Sequence, residues 1–468
     1  MSLHFGARPT LAVLLSGALL SVAMPELSCA GQDLRYLSFH PVPLPARAAA
    51  SSERPSPSSA RFAASGDKDI SSTSIEYRMH APSADFAARE TAYRAAIAAL
   101  YQEQGPTALP LGEQLLALGQ LLQQHGKLDA ALEAYESSRH VLRVNLGLHS
   151  LEQTPVLKAM FSVYAAKGDV DNAHAAQEAL FNLRLRHHGR DHPDAVDALL
   201  EWADWNVNLY LLLDPMPPMD NSLRLFDRFN DPRLEHAYDT YSQALQSLQK
   251  FAEPGDERLV TTERKLAALN FISTQKIRDT YGDALRYYAS SDQFSGSGDA
   301  LENASAARFE DGSSALRRAI AHSERRPQRR NDDIAARMVE LGDWYLLFDQ
   351  RAAAMDLYRD ALRFMRNASL PPEEVDRIMS SGMPVPTPDT AYQPPVDASE
   401  FDGYIDVEFE LSTFGMATKP HIIGSSQHNR QIERELLREI RDCKFRPKFV
   451  ADAPVDNEKI RLRYYYSL

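Results

Sequence analysis

Three histidines, His187, His188 and His192, crowd one short stretch with Asp191, and imidazole with carboxylate is a donor set that a divalent transition metal uses. They fall at the end of a helical pattern and in the loop Gly189-Arg190-Asp191-His192-Pro193. That loop has a place of its own in the repeat described below, so no metal is expected. Met216 and Met219 flank prolines and would suit copper, but two thioethers in an exposed loop are ordinary surface residues. Cys443 reads as a small buried hydrophobe rather than a reactive thiol. No glycine-rich phosphate loop follows a strand, and neither Gly-x-Ser-x-Gly nor His-Glu-x-x-His occurs. The chain is expected to be no enzyme and to need no cofactor.

Residues of this kind must be held by several units. With 468 residues, 44% hydrophobic and 25% charged, the chain is long enough for two to three domains. Its formal net charge is -13, yet residues 401–468 hold 11 acids and 11 bases, so the acidic excess lies upstream and nucleic acid is excluded as a partner. Residues 1–30 have the pattern of a secretory signal: Arg8, an apolar run from Leu11 to Ala23, and Ser28-Cys29-Ala30 before Gly31. The rival readings are an uncleaved anchor, for which the run is short, and a lipid-modified Cys29, for which Glu26 is the wrong neighbour. Cleavage after Ala30 would place the protein in the periplasm of a Gram-negative bacterium with Cys443 as its one thiol; an uncleaved signal would tie it to the inner membrane.

Residues 31–83, rich in Pro, Ser and Ala, are expected to be a tether. From 84 to 369 the pattern is helical and repeats: Gly126 and Gly168 are 42 residues apart, as are Gly147 and Gly189. The second helices share a small-x3-aromatic-x2-small signature in Ala131/Tyr135/Ser138, Ala237/Tyr241/Ala244 and Ala354/Tyr358/Ala361, degraded to Ala173/Gln177/Leu180. Repetition at this period means a solenoid. With Leu118-Gly119 and Leu341-Gly342 in first helices, Trp202 at the corresponding position and Pro193 opening a repeat, the segment resembles tetratricopeptide repeats, roughly four to six of them. Residues 258–289 read as a further helix pair, 214–231 and 291–313 as loops, and 370–400 as a proline-rich linker that would let array and terminus hinge. Counting two and six positions on from Leu118, Met160, Trp202 and Leu341, the concave groove would be lined by Gln120, Gln124, Ser162, Ala166, Asp204, Asn208, Asp343 and Leu347. Such a lining suits an extended peptide.

Residues 401–468 form a separate unit. Ile405, Val407, Phe409 and Leu411 alternate with polar residues, Ile460 to Tyr466 alternate again, and Ile432, Leu436, Leu437 and Ile440 make a helical stripe between them. Gly403-Tyr404-Ile405, Gly415, Gly424-Ser425-Ser426, Cys443-Lys444-Phe445-Arg446-Pro447 and the closing aromatic strand resemble, in order, the C-terminal domain of TonB-family proteins. Cys443 stands where that family usually has an aromatic residue. The fold class expected is thus an α-helical solenoid followed by a small α+β domain, an antiparallel sheet with one helix. The resemblance implies binding through a sheet edge, for which the final strand offers Lys459, Arg461, Arg463 and Tyr465. An exported adaptor for protein or peptide partners follows; the alternatives are an anchored energy transducer to outer-membrane receptors and a docking regulator of a cell-wall enzyme.

Overall fold

The computed structural model describes residues 38–43, 84–190, 192–212, 231–288, 295–386, 401–450, 452–456 and 458–467. The expected signal, most of the tether, Asp191, Met216 and Met219 lie outside them. The helices are α1 (Ala84–Gln104), α2 (Leu109–Gln124), α3 (Leu128–Leu146), α4 (Thr154–Ala166), α5 (Val170–His188), α6 (Val196–Leu212), α7 (Pro232–Phe251), α8 (Glu257–Tyr288), α9 (Ser295–Glu324), α10 (Asn331–Leu347), α11 (Arg351–Asn367) and α12 (Pro372–Met379). From α2 onward they pack as consecutive pairs, α2 with α3 through α10 with α11, with α1 against α2 and α12 against α10. This is a helical solenoid of tetratricopeptide-like repeats. No described helix is long and apolar enough to cross a membrane.

The glycine period has a backbone cause. Gly126 and Gly168 take φ of 72° and 71° in the turn between paired helices, and Gly147 and Gly189 take 91° and 85° where second helices end. These left-handed values cost a residue with a Cβ. The signature residues form the seams: Ala131, Tyr135, Ser138, Ala237, Tyr241, Ala244, Ala354, Tyr358 and Ala361 are all buried to 2% exposure or less. A Cβ on Gly119 would stand 2.4 Å from the Tyr135 ring and one on Gly342 2.7 Å from the Tyr358 ring, so each leucine-glycine pair makes the socket for the tyrosine of its partner helix.

Two expectations fail here. Where a helix pair was expected over 258–289, residues 258–288 belong to the single helix α8, and its partner α9 runs through most of the predicted loop at 291–313. The small residues there serve close packing: a Cβ on Gly312 would meet the Trp344 ring at 2.0 Å, while Ser313, Ala315 and Ala319 are fully buried or nearly so. The 370–400 linker also fails in part. Residues 372–379 are α12, and Val385 is buried in the core cluster of the last repeat with Ile378 and Met379.

The terminal domain comprises β1 (Ser38–Pro43), β2 (Gly403–Leu411), β3 (Ala417–Ser425), α13 (Arg430–Asp442), β4 (Phe449–Val450), β5 (Ala453–Pro454) and β6 (Glu458–Ser467). The four-stranded sheet has the order β1-β6-β2-β3 with antiparallel neighbours, and β4 pairs with β5. Asn429 caps α13 by accepting from Gln431 N and Ile432 N. The alternating face of β2 and the stripe Ile432, Leu436 and Ile440 close one core with Leu462, Tyr464, Tyr466, Cys443 and Phe445. Residues 38–43, assigned by sequence to the tether, supply a strand, and the sheet edges are β1 and β3.

Candidate functional site

β6 is central. It pairs with β1 from Leu462 to Ser467 and with β2 from Glu458 to Tyr466, so the edge-strand site fails at Arg463 and Tyr465, while Lys459 and Arg461 lie in the stretch where β2 is the strand's one partner among the described residues. Where a strand has neighbours on both sides, its backbone donors and acceptors are spent. Its side chains are committed too: Arg463 donates to Asp406 at 2.7 and 2.9 Å, Arg461 to Glu408 at 2.7 Å, Lys459 lies 3.7 Å from Glu408, and Tyr465 packs edge-on to Tyr404. The Arg461 bond holds the Glu408 carboxyl below the usual carboxylate range.

The groove residues divide by position along the array. Gln120 and Gln124 are exposed on α2. Next to them Gln123 donates to Ser162 at 3.0 Å and accepts from Tyr135 at 2.7 Å, which ties the first two repeats together. Asp204 accepts the Lys265 ammonium and the Tyr241 hydroxyl and is half-buried, and Asn208 is 5% exposed. Asp343, 3% exposed, is taken by the chain itself.

That last contact organises the junction with the terminal domain. Arg446 donates from Nε to Asp343 Oδ1 at 2.9 Å and from Nη2 to Oδ2 at 2.6 Å, the bidentate geometry that a planar guanidinium favours. Its Nη1 reaches the carbonyls of Ile378 and Met379, where α12 ends, at 3.1 and 3.3 Å, and Tyr358 donates to Asp343 Oδ1 at 2.7 Å. Burial alone would lower the Arg446 pKa, but Asp343 outweighs it and the guanidinium is held more firmly charged. The backbone continues the seam: Gly382 N donates to Arg446 O, Arg446 N to Met383 O, and Val385 N to Lys444 O, all at 2.8 to 3.0 Å. Gly415, with φ of 73°, accepts from Phe445 N and lies against Leu346 of α10. Around this, Lys444 donates to Asp349 at 2.6 Å and Phe449 joins the last repeat's core. Burial would raise the Asp349 carboxyl, yet Lys444 and Arg351 hold it below its ordinary value.

A second feature lies at the other end. An open cleft of about 370 Å³ is walled by Glu136, Arg139, His140 and Arg143 of α3 and Asn172 of α5, with Leu157, Met160 and Tyr164 of α4 beneath. Arg139 Nε is buried there without a hydrogen-bond partner. Burial, then repulsion from Arg143, lowers the Arg139 pKa, and among the described residues neither arginine has a salt-bridge carboxylate. Sequence reasoning missed this cleft because it looked for function on first helices.

The His cluster takes a form that the sequence did not give. His188, His192 and Asp194 bring their ligand atoms within 4.8 Å of one another, with His187 stacked edge-on against His188 rather than among them.

No protein-family model and no curated protein matches the chain. Among solved structures it is similar to a putative kinesin light chain from Podosopora anserina with nearly identical TPR-like repeats, at 14% identity and a TM-score of 0.35, covering 57% of this chain and 100% of that one. It is also similar to BtubC (BKLC) from P. vanneervenii, at 14% identity and a TM-score of 0.33, covering 67% of this chain and 96% of that one. The fold described above rests on the helix pairing itself.

Proposed function

We propose that the protein is a non-catalytic adaptor that holds an acidic segment of a protein partner on its first two repeats, while its terminal domain closes the last repeat. The unpaired Arg139 in the α3-α4-α5 cleft carries this reading. A buried guanidinium nitrogen without an acceptor, next to a second arginine, is costly until an anion arrives, and a Glu or Asp side chain supplies the matching bidentate acceptor. Glu136, on the cleft wall, limits the charge but leaves two guanidiniums facing one carboxylate. Exposed Gln120 and Gln124 offer amide contacts on the same two repeats.

Export to a bacterial envelope belongs to the same proposal and is supported by the Arg8, Leu11 to Ala23 and Ser28-Cys29-Ala30 pattern; cell fractionation with a mature start near Gly31 checks it. A TonB-like role for the terminal domain is supported by its sheet-and-helix order and its Phe445-Arg446-Pro447 turn, with β1 and β3 rather than β6 as the edges open to a partner.

The test is fluorescence anisotropy of the full chain with a labelled Asp/Glu-rich peptide and a Lys-rich control. Binding of the acidic peptide that weakens roughly tenfold in Arg139→Ala and Arg143→Ala, and as salt rises, supports the reading. Equal binding of both peptides, or binding unaffected by the two substitutions, overturns it.

A further inference from the structure

α5 ends at His188, and Gly189, at φ 85°, turns the chain into the next repeat. His192 then begins a short 3-10 turn, Pro193–Ala195, by accepting Asp194 N–H on its Nδ1 at 3.2 Å. This turn folds Asp194 back over the end of α5. Asp194 Oδ2 lies 3.7 Å from Nδ1 of His188 and 3.7 Å from Nδ1 of His192, and the two imidazoles stack with centroids 5.8 Å apart.

We propose that His188, His192 and Asp194 bind a divalent transition metal ion, zinc being the best match. Two imidazoles and one carboxylate are a borderline donor set that zinc accepts, with a fourth position left to water. Ligand atoms about 2.0–2.2 Å from a tetrahedral ion stand roughly 3.3–3.6 Å from one another, so each His–Asp pair already has nearly the spacing that coordination requires. The separation within 4.8 Å that remains is closed by rotation of side chains on a loop. Taking His192 through Nδ1 replaces the long bond from Asp194 N–H with a metal–nitrogen bond, and the backbone N–H then turns to water at an exposed position. His187 stands outside the set. From sequence, His187, His188 and His192 were set beside Asp191 and no metal was expected; the carboxylate that meets two of them is Asp194, three residues beyond, and only the 3-10 turn brings it back.

Bound there, the ion ties the last turn of α5 to the residues that open α6. It would fix the angle between the second and third repeats rather than perform chemistry. The site shares no residue with the α3-α4-α5 cleft, so this inference stands apart from the reading of peptide binding.

The experiment uses the full chain, free of any histidine tag and stripped with a chelator, titrated with Zn²⁺ by calorimetry and with Co²⁺ by visible absorption. The expected result is one ion per chain with the intense visible bands of tetrahedral cobalt, and affinity reduced about tenfold or more in His188→Ala and in Asp194→Asn. His187→Ala should bind as the unaltered chain does, and circular dichroism of all variants should be unchanged, since the altered side chains are outside the core. No one-to-one binding, or binding that persists in both His188→Ala and Asp194→Asn, overturns the inference. Loss on His187→Ala alone would also overturn it by moving the ion to other ligands.

Discussion

Asp343 shows how a repeat position becomes an internal bond. A carboxylate with 3% exposure is costly unless charge and hydrogen bonds meet it, and two bonds from Arg446 with a third from Tyr358 do so. Gly342 sets the tyrosine in place. Gly342→Ala should therefore force the Tyr358 ring aside and cost about 1–3 kcal/mol, measured by urea unfolding, with the larger loss if the Asp343 bond breaks as well. Gly342 and Tyr358 were legible in the sequence, because a small residue opposite a tyrosine at fixed spacing is a local packing rule. Arg446 was legible as part of a turn, but not its partner: no spacing rule connects a residue of α10 with a turn beyond β3 and α13. Asp343 was read as groove lining for the same reason.

At the scale of elements, alternation and helical stripes identified β2, β6, α13 and most repeat helices, since each pattern reports burial along one element. It says nothing about neighbours. β6 was taken as an edge because its second partner, β1, lies at the far end of the sequence inside a stretch whose composition suggests a tether. The two prolines of β1 fit an edge strand, which needs backbone donors on one side only. Deleting residues 38–43 should speed amide hydrogen exchange in β6 from Leu462 to Ser467 while leaving the β2–β3 pairing protected. Unchanged β6 protection would show that β1 is not its partner. Composition misled again at 291–313, where Gly and Ser suggested a loop; in α9 Gly312 and Ser313 are small because Trp344 and the neighbouring helix approach closely.

At the scale of the molecule, the expected hinge between array and terminus is replaced by a seam. Arg446 enters the last repeat, residues 382–385 pair with 444–446, Lys444 reaches Asp349, and Phe449 completes the repeat's core. The last repeat is thus covered by the chain itself, whereas Gln120 and Gln124 at the other end stay exposed. Sequence could not show this, since each half satisfies its own pattern without the other. A double-mutant cycle on Asp343→Ala and Arg446→Ala, made in a Trp202→Phe/Trp205→Phe background so that Trp344 is the one tryptophan and followed by its fluorescence during urea unfolding, tests the seam most directly. Each substitution should cost about 3 kcal/mol or more by leaving a buried charge unpaired, and the pair should cost little more than either alone, a coupling of roughly 2–3 kcal/mol. Costs that add to within about 0.5 kcal/mol would mean the two residues do not meet, and would contradict a terminal domain docked on the last repeat.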